Sequence, residues 1–458
     1  MILTQYYLSC LSHGSYLVAD ETTGRAVVVD PRRDIKEYLA DAEAQNLTIV
    51  GVINTHVHAD FVSGHLELSE STGAWIGYGP SAKAEFGIRT LRHGEHISLG
   101  EVDLEILETP GHTWESISVL VRAHAADEIP AAVLTGDSMF IGAVGRPDLV
   151  VSEGSSAGDL ARAMFHTIHE VLLQLPDETK LYPAHGAGSS CGKNLSDDLD
   201  STIGAQRRTN IFVQPMDEDA FVTMISTGQP AAPEYFFVDA ALNLKKRPTL
   251  KQGQTLVPFS PVEARAAIAG GVKIVDTRSP EEFARGHLRG SINVGIEGRF
   301  AETAGMVVHV DDEILVVPDA DRVDEAGLRL SRIGFDKAVG YVADWEHAFV
   351  ELADLIETGS RVSVAQMADL PPETIVLDVR NPGEREGGAI PGSMHIPLAE
   401  LGRRHDELPF DRPILVHCAS GWRSSVGASL LRSLGHQDVS DLLGGHQEWA
   451  VATEPTPV

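Results

Sequence analysis

The chain is poor in the features that would place it in an oxidising compartment, in a membrane or on nucleic acid. Only 3 of its 458 residues are cysteine. That number is too small, and odd, for a disulfide framework, and it fits a reducing compartment. No apolar run reaches the ~18 residues that a membrane span needs. The opening MILTQYYLSCLSHGSYLVAD has no basic start, no long apolar stretch and no small-residue cleavage site, so no secretory leader is expected. Positive charge is scarce too: 36 Lys and Arg stand against 66 Asp and Glu, a formal net charge of -30. A nucleic-acid binder needs a basic face, which this composition does not offer. The expectation is a cytoplasmic protein with neither a nucleic-acid nor a membrane partner, its acidity serving solubility.

What is present is ordinary globular composition, 43% hydrophobic and 22% charged, in a chain long enough for about three domains. AVVVD (26–30), TIVGVINT (48–55), VDLEIL (102–107) and AAVLTGD (131–137) read as strands, and Ile35–Gln45 and Leu160–Leu173 as helices. NLKKRPTLKQGQTLVPF (243–259) breaks the pattern and reads as a linker. An internal repeat follows it: IVDTRSPEEFARGHLRGSINV (274–294) returns as VLDVRNPGEREGGAIPGSMHI (376–396), and ILVV (314–317) as ILVH (414–417). A second connection, 357–373, separates the copies. The expected domains are 1–242, 257–356 and 362–458.

Histidines and acids collect in four loops of the first domain. Thr55-His56-Val57-His58-Ala59-Asp60 follows a strand, and Thr109-Pro110-Gly111-His112-Thr113, Gly136-Asp137-Ser138 and Pro183-Ala184-His185-Gly186 come later. Imidazole is the commonest side-chain metal ligand, and strand ends project such groups from a rigid base. One loop histidine means little. Four His/Asp loops in this order indicate a metal site.

These motifs resemble the metallo-β-lactamase superfamily over residues 1–240, which implies an αββα sandwich with metal between two sheets. Dinuclear hydrolases of the superfamily follow the aspartate of the first motif with another histidine; this chain has Phe61 there. A mononuclear site fits better, with His56, His112 and Asp137 as a 2-His-1-carboxylate face suited to non-heme Fe(II). GDSMFIGAVGRPDL (136–149) is similar to the signature of the persulfide dioxygenase branch. That resemblance implies one Fe(II) per chain on His56, His112 and Asp137, with His58, Asp60 and His185 orienting ligands or holding water. Arg146 is read either as substrate-binding or as a structural ion pair with Asp148. Cys191, in HGAGSSCGKN (185–194), is either a small buried residue or a sulfur-handling thiol whose pKa Lys193 lowers; the second reading is preferred.

In the last domain an apolar strand runs into Cys418-Ala419-Ser420-Gly421-Trp422-Arg423 and then a helix. A cysteine whose following N–H groups curl into a helix N-terminus sits in an anion-favouring field. The field makes a thiolate nucleophile and would hold a terminal persulfide sulfur equally well. The loop resembles that of rhodanese sulfurtransferases, with Asp378, Arg380 and the Gly444-Gly445…Trp449 run at other rhodanese positions. A cysteine phosphatase would place arginine six residues after cysteine; here the interval is five. In the middle copy Pro318 stands opposite Cys418 and acidic DADRVDE (319–325) replaces the cradle, so a catalytically empty rhodanese fold is expected.

The expected fold class is therefore α/β multidomain: an αββα sandwich, then two α/β rhodanese-like domains with central parallel sheets. The order resembles bacterial persulfide dioxygenase–rhodanese fusions. It implies oxidation of a low-molecular-weight thiol persulfide by O2 to sulfite, and sulfane-sulfur transfer through Cys418 to or from thiosulfate. A homo-oligomer is expected. Two rivals remain: a zinc-dependent glyoxalase-type thioester hydrolase fused to a sulfurtransferase, and a non-catalytic sulfur carrier.

Overall fold

A computed structural model describes residues 1–149, 156–193, 195–251, 253, 255–319 and 321–453. Asn194 of the Cys191 loop, Gln252 and Gln254 of the expected linker, Ala320 of the acidic stretch and the last five positions of the expected third domain lie outside the described residues. The chain forms two compact units. One comprises Met1–Gln229 with Phe236–Gln254 and Ser331–Gly334; the other comprises Pro230–Tyr235 with Thr255–Leu330 and Phe335–Val458. No helix among the described residues is long and apolar enough to cross a membrane.

The first unit holds two six-stranded sheets. One is β1 (Ile2–Leu8), β2 (His13–Asp20), β3 (Arg25–Val29), β4 (Thr48–Ile53), β5 (Trp75–Tyr78) and β6 (Arg89–Thr90), in that spatial order. The other is β7 (His96–Ser98), β8 (Asp103–Glu108), β9 (Ile117–Arg122), β10 (Ala132–Gly136), β11 (Lys180–Pro183) and β12 (Ser201–Thr202), also adjacent in chain order. Alternation along each strand builds the layers. Val27, Val29 and Ile53 face Leu104, Ile106, Val119 and Leu134 of the second sheet. Ala26, Val28 and Val52 face outward against Tyr38, Ala42 and Leu68 of the helices Lys36–Ala44 and His65–Thr72. Both faces of β3 are thus covered, which is why VVV reads as a continuous apolar run. The result is an αββα sandwich.

The helix expected over 160–173 is shorter. It runs Ala157–His166, opened by a Ser156/Asp159 capping box, and widens into a π turn at Thr167–Val171. Thr167 Oγ1 donates there to the Pro110 carbonyl at 2.6 Å, tying the helix to the His112 loop. The expected linker is also partly anchored: Asn243 is buried, and Arg247 pairs with Glu67 at 2.7 Å.

The second unit contains the repeat. Its strands are β13 (Pro258–Phe259), β14 (Lys273–Asp276), β15 (His287–Leu288), β16 (Ile292–Asn293), β17 (Ile314–Val317), β18 (Ala338–Val342), β19 (Ile356–Glu357), β20 (Ser360–Val362), β21 (Ile375–Asp378), β22 (Met394–His395), β23 (Ile414–His417) and β24 (Val439–Leu442). Two five-stranded sheets form, in the orders β13-β18-β17-β14-β16 and β20-β24-β23-β21-β22. Every pairing in both is parallel. The same strand order in each copy puts Pro318 and Cys418 at equivalent strand ends.

Candidate metal centre and cysteine loop

The histidine loop that follows β4 is fastened before any metal is considered. Asp30, at the end of β3, accepts from Thr55 N at 2.7 Å and Thr55 Oγ1 at 2.8 Å. It also meets His58 Nε2 at 2.9 Å, and His58 Nδ1 is left buried with no hydrogen-bond partner. Glu115 accepts from Val57 N at 2.9 Å. Asn243 donates to the carbonyls of His58 and Phe61, both at 2.8 Å. None of these three was singled out from the sequence.

His56, His112 and Asp137 converge, with one ligand atom from each lying within 4.8 Å of the others. Asp137 Oδ2 stands 3.8 Å from His56 Nε2 and 3.6 Å from His112 Nε2. His112 donates Nδ1–H to the Arg146 carbonyl at 2.7 Å, leaving the Nε2 lone pair toward the centre. His56 Nδ1 lies 3.0 Å from Thr55 Oγ1. His56 Nε2 and Asp137 Oδ2 are buried with no hydrogen-bond partner. Each such orphan costs about 1–3 kcal/mol, and a cation between them would relieve both. Burial first, then His58 and His112, holds the His56 imidazole well below its ordinary pKa, so it is a neutral donor. The residues fit a divalent metal.

Asp60, His185 and Cys191 form a second group whose ligand atoms also lie within 4.8 Å of one another. His185 Nδ1 meets Asp137 Oδ1 at 2.7 Å, and its Nε2 meets Asp60 Oδ2 at 2.8 Å. Asp137 therefore turns one oxygen to each group. Burial alone would lower the His185 pKa, but Asp137 and Asp60 hold it well above the usual value. Burial, then Asp60 and Asp137, pushes the Cys191 thiol well up. The expected activation by Lys193 does not occur: its ammonium is spent on the carbonyls of Met224, at 3.3 Å, and Thr227, at the end of the helix Glu218–Ser226. Phe61 is fully buried against His58 and His13, with ring centroids 4.5 and 4.2 Å away. Arg146 forms a two-toothed pair with Asp148, at 2.6 and 2.8 Å, and donates to the Ser190 carbonyl at 3.2 Å.

Cys418 leaves β23 at the middle of its sheet. Gly421 N donates to Cys418 Sγ at 3.2 Å, and the helix Trp422–Ser433 starts at the next residue. The loop's carbonyls are tied off behind it: Cys418 O accepts from His446 N at 2.7 Å, and Ala419 O from Gln447 N at 3.0 Å. Gly445 is required there, since its φ is +58° and a Cβ would lie 2.5 Å from the Cys418 carbonyl oxygen. Arg423, at the loop's end, is engaged with Glu384, a repeat position whose partner the sequence leaves unnamed. The equivalent region of the middle copy borders a cavity of about 760 Å³ lined by Pro318, Asp319, Asp321, Asp324, Glu282 and Glu346, which would repel an anion.

Comparison with known proteins agrees with this architecture. The metallo-beta-lactamase superfamily model matches residues 9–185, and the rhodanese-like domain model matches 260–344 and 360–452. The chain belongs to the metallo-beta-lactamase superfamily and carries two rhodanese-like domains. It is similar to a metallo-beta-lactamase from Staphylococcus aureus, 32% identical, with a TM-score of 0.69, covering 74% of this chain and 98% of that one. A hydroxyacylglutathione hydrolase of Hyphomonas neptunium is 32% identical over 197 residues, 42% of this chain and 70% of that protein. A beta-lactamase hydrolase-like protein of Xylella fastidiosa is 27% identical over 240 residues, 46% of this chain and 52% of that protein. The chain thus spans about half the length of the latter.

Proposed function

We propose that residues 1–242 oxidise a low-molecular-weight thiol persulfide with O2 at one Fe(II), and that residues 362–458 transfer sulfane sulfur through Cys418. The observation that carries the first half is the facing pair of orphaned atoms, His56 Nε2 and Asp137 Oδ2, completed by His112. Iron bound there would supply the redox chemistry by which dioxygen reacts with sulfur. Persulfide, O2 and water give thiol, sulfite and two protons. His185, bridged to Asp137 and Asp60, holds a proton at its ring nitrogens beside that chemistry. Cys191, whose Sγ belongs to the same group, donates its S–H toward the anionic sulfur rather than attacking as a thiolate.

In the last domain the Cys418 thiolate attacks the outer sulfur of a persulfide donor, the donor leaves as its thiol, and Cys418 carries the sulfur. Sulfite then attacks that sulfur and departs as thiosulfate, restoring the thiolate. The Gly421 N–H and the outward-turned carbonyls support an anion at Sγ. Residues 257–356 lack a nucleophile in this scheme. We place the protein in the cytoplasm as a homo-oligomer.

The Asp60, His185 and Cys191 group favours a second reading, a dinuclear zinc thioester hydrolase, in keeping with the similarity to hydroxyacylglutathione hydrolase. Metal content of anaerobically purified protein, together with oxygen uptake on a panel of thiol persulfides, separates the two. One iron with persulfide-dependent uptake supports the proposal; two zinc ions with thioester hydrolysis overturn it.

A further inference from the structure

The middle copy has no nucleophile, yet it grips the helix that carries the cysteine loop. Its strand β16 lies at the edge of its sheet. From there Asn293 N donates to Ser429 Oγ at 2.9 Å, and Ser425 Oγ donates to Asn293 Oδ1 at 2.8 Å. Ser425 and Ser429 stand one turn apart on one face of the helix Trp422–Ser433. The amide is held from behind as well, because Nδ2 donates to the carbonyls of Arg278 at 2.9 Å and Asp276 at 3.2 Å. Asn293, Ser425 and Ser429 are all buried. At the helix start, a Cβ on Gly295 would meet the Trp422 indole nitrogen at 3.3 Å, so Trp422 rests on the same segment. The equivalent of Asn293 in the last copy is His395, and it keeps the inward bond, Nε2 to the Arg380 carbonyl at 2.8 Å.

We propose that the middle copy is a positioning element for the sulfurtransferase site, with Asn293 setting the axis of the Trp422–Ser433 helix and so the aim of the N–H groups at Cys418. Apolar packing alone would hold two domains together. A buried amide bonded on both sides adds direction, since any rotation of the helix leaves a polar group unpaired. The Gly421 N–H lies 3.2 Å from Sγ, and a displacement of about 1 Å at a reacting centre costs as much as about a hundredfold in rate. This inference rests on the reading of Cys418 as a sulfurtransferase nucleophile.

The test uses the full chain with Asn293→Ala, Ser429→Ala and both together. Two readouts are followed: thiosulfate–cyanide sulfur transfer, and the pH profile of Cys418 alkylation by iodoacetamide, read on the Cys418 peptide by mass spectrometry. The expected result is a loss of about tenfold in kcat/KM for each single variant. The double variant loses more than either single one, because Asn293→Ala removes the bond from Ser425 and Ser429→Ala the bond from the Asn293 main chain. The alkylation midpoint rises by about half a pH unit while the melting transition stays cooperative. Folded variants with wild-type transfer and an unshifted midpoint overturn the proposal. Should Asn293→Ala not fold, Ser429→Ala, which removes only a hydroxyl, decides the matter on the same two readouts. A wild-type chain without transfer activity overturns the sulfurtransferase reading instead, and the alkylation midpoints still decide the positioning role.

Discussion

Arg423, in the first turn of the helix that follows the cysteine loop, lays both terminal nitrogens against the Glu384 carboxylate, at 2.7 Å each. The donor that meets the sulfur itself is the Gly421 N–H, at 3.2 Å. Burial alone would depress the Arg423 pKa, but Glu384 holds it above the ordinary value.

Removing one member of such a pair strands the other. Arg423→Ala should leave the Glu384 carboxylate without its partner, cutting sulfur transfer by about tenfold or more. Arg423→Ala with Glu384→Gln should recover part of that loss. Transfer kinetics and alkylation pH profiles of the single and double variants check this; a double variant worse than Arg423→Ala contradicts it.

For the metal, about one iron per chain is expected in active protein. Asp137→Ala removes the oxygen that faces both imidazoles and also the partner of His185 Nδ1. Iron content and persulfide-dependent oxygen uptake should fall together, to below about a tenth of wild type. Uptake that persists without iron would contradict the assignment.

The two chemistries should separate by cysteine. Cys418→Ser should abolish thiosulfate formation and cleavage while oxygen uptake stays near wild type. Cys191→Ser should do the reverse, lowering oxygen uptake at full iron content, because its sulfur lies among Asp60 and His185. Unchanged uptake in iron-replete Cys191→Ser would return this residue to packing alone.

Acid sensitivity of the middle copy should trace to His287. Burial pushes its pKa down to about 4, and its ring stacks on Phe283 with Nδ1 bonded to the Phe283 carbonyl at 2.9 Å. Unfolded histidine titrates near ~6.5, so between that pH and about 4 the unfolded chain binds a proton that the folded chain refuses. Stability is full above the unfolded value and falls as pH drops through this window, by roughly 3 kcal/mol at most. His287→Asn keeps a donor for the carbonyl and should flatten the denaturation midpoint over this range. An unchanged slope would show that another group carries it.

Much of this architecture is legible in the chain because its signals are local. Each site loop sits at a strand end with its own flanking residues, as in Thr55–Asp60 or Pro183–Gly186, and the continuous apolar run VVV follows from burial on both faces of its strand. The repeat is visible because Asp276/Arg278 and Asp378/Arg380 do the same local work, each arginine pairing with the acid two residues earlier. What escapes is whatever depends on where distant segments meet. Asn243 lies in a stretch whose Lys, Pro and Gly content reads as a connection, yet its amide clamps a loop about 180 residues earlier. Lys193 misleads for the opposite reason: nearness in sequence to Cys191 says nothing about which way the side chain turns, and helix-end carbonyls claim it. Asp30 closes an apolar strand and gives no hint that three groups converge on it.

The tethering of the Cys418 and Ala419 carbonyls to His446 and Gln447 has a thermodynamic corollary. With those two acceptors tied off, the Gly421 N–H is turned to the sulfur, and a persulfide anion would accept from it more strongly than a thiol does. Sulfur loading would add that gain in the folded chain alone, so the loaded form should melt higher than the empty one. Heat resistance would then rise and fall with the supply of sulfane sulfur, and the last domain would keep a physical record of how much it has recently been given.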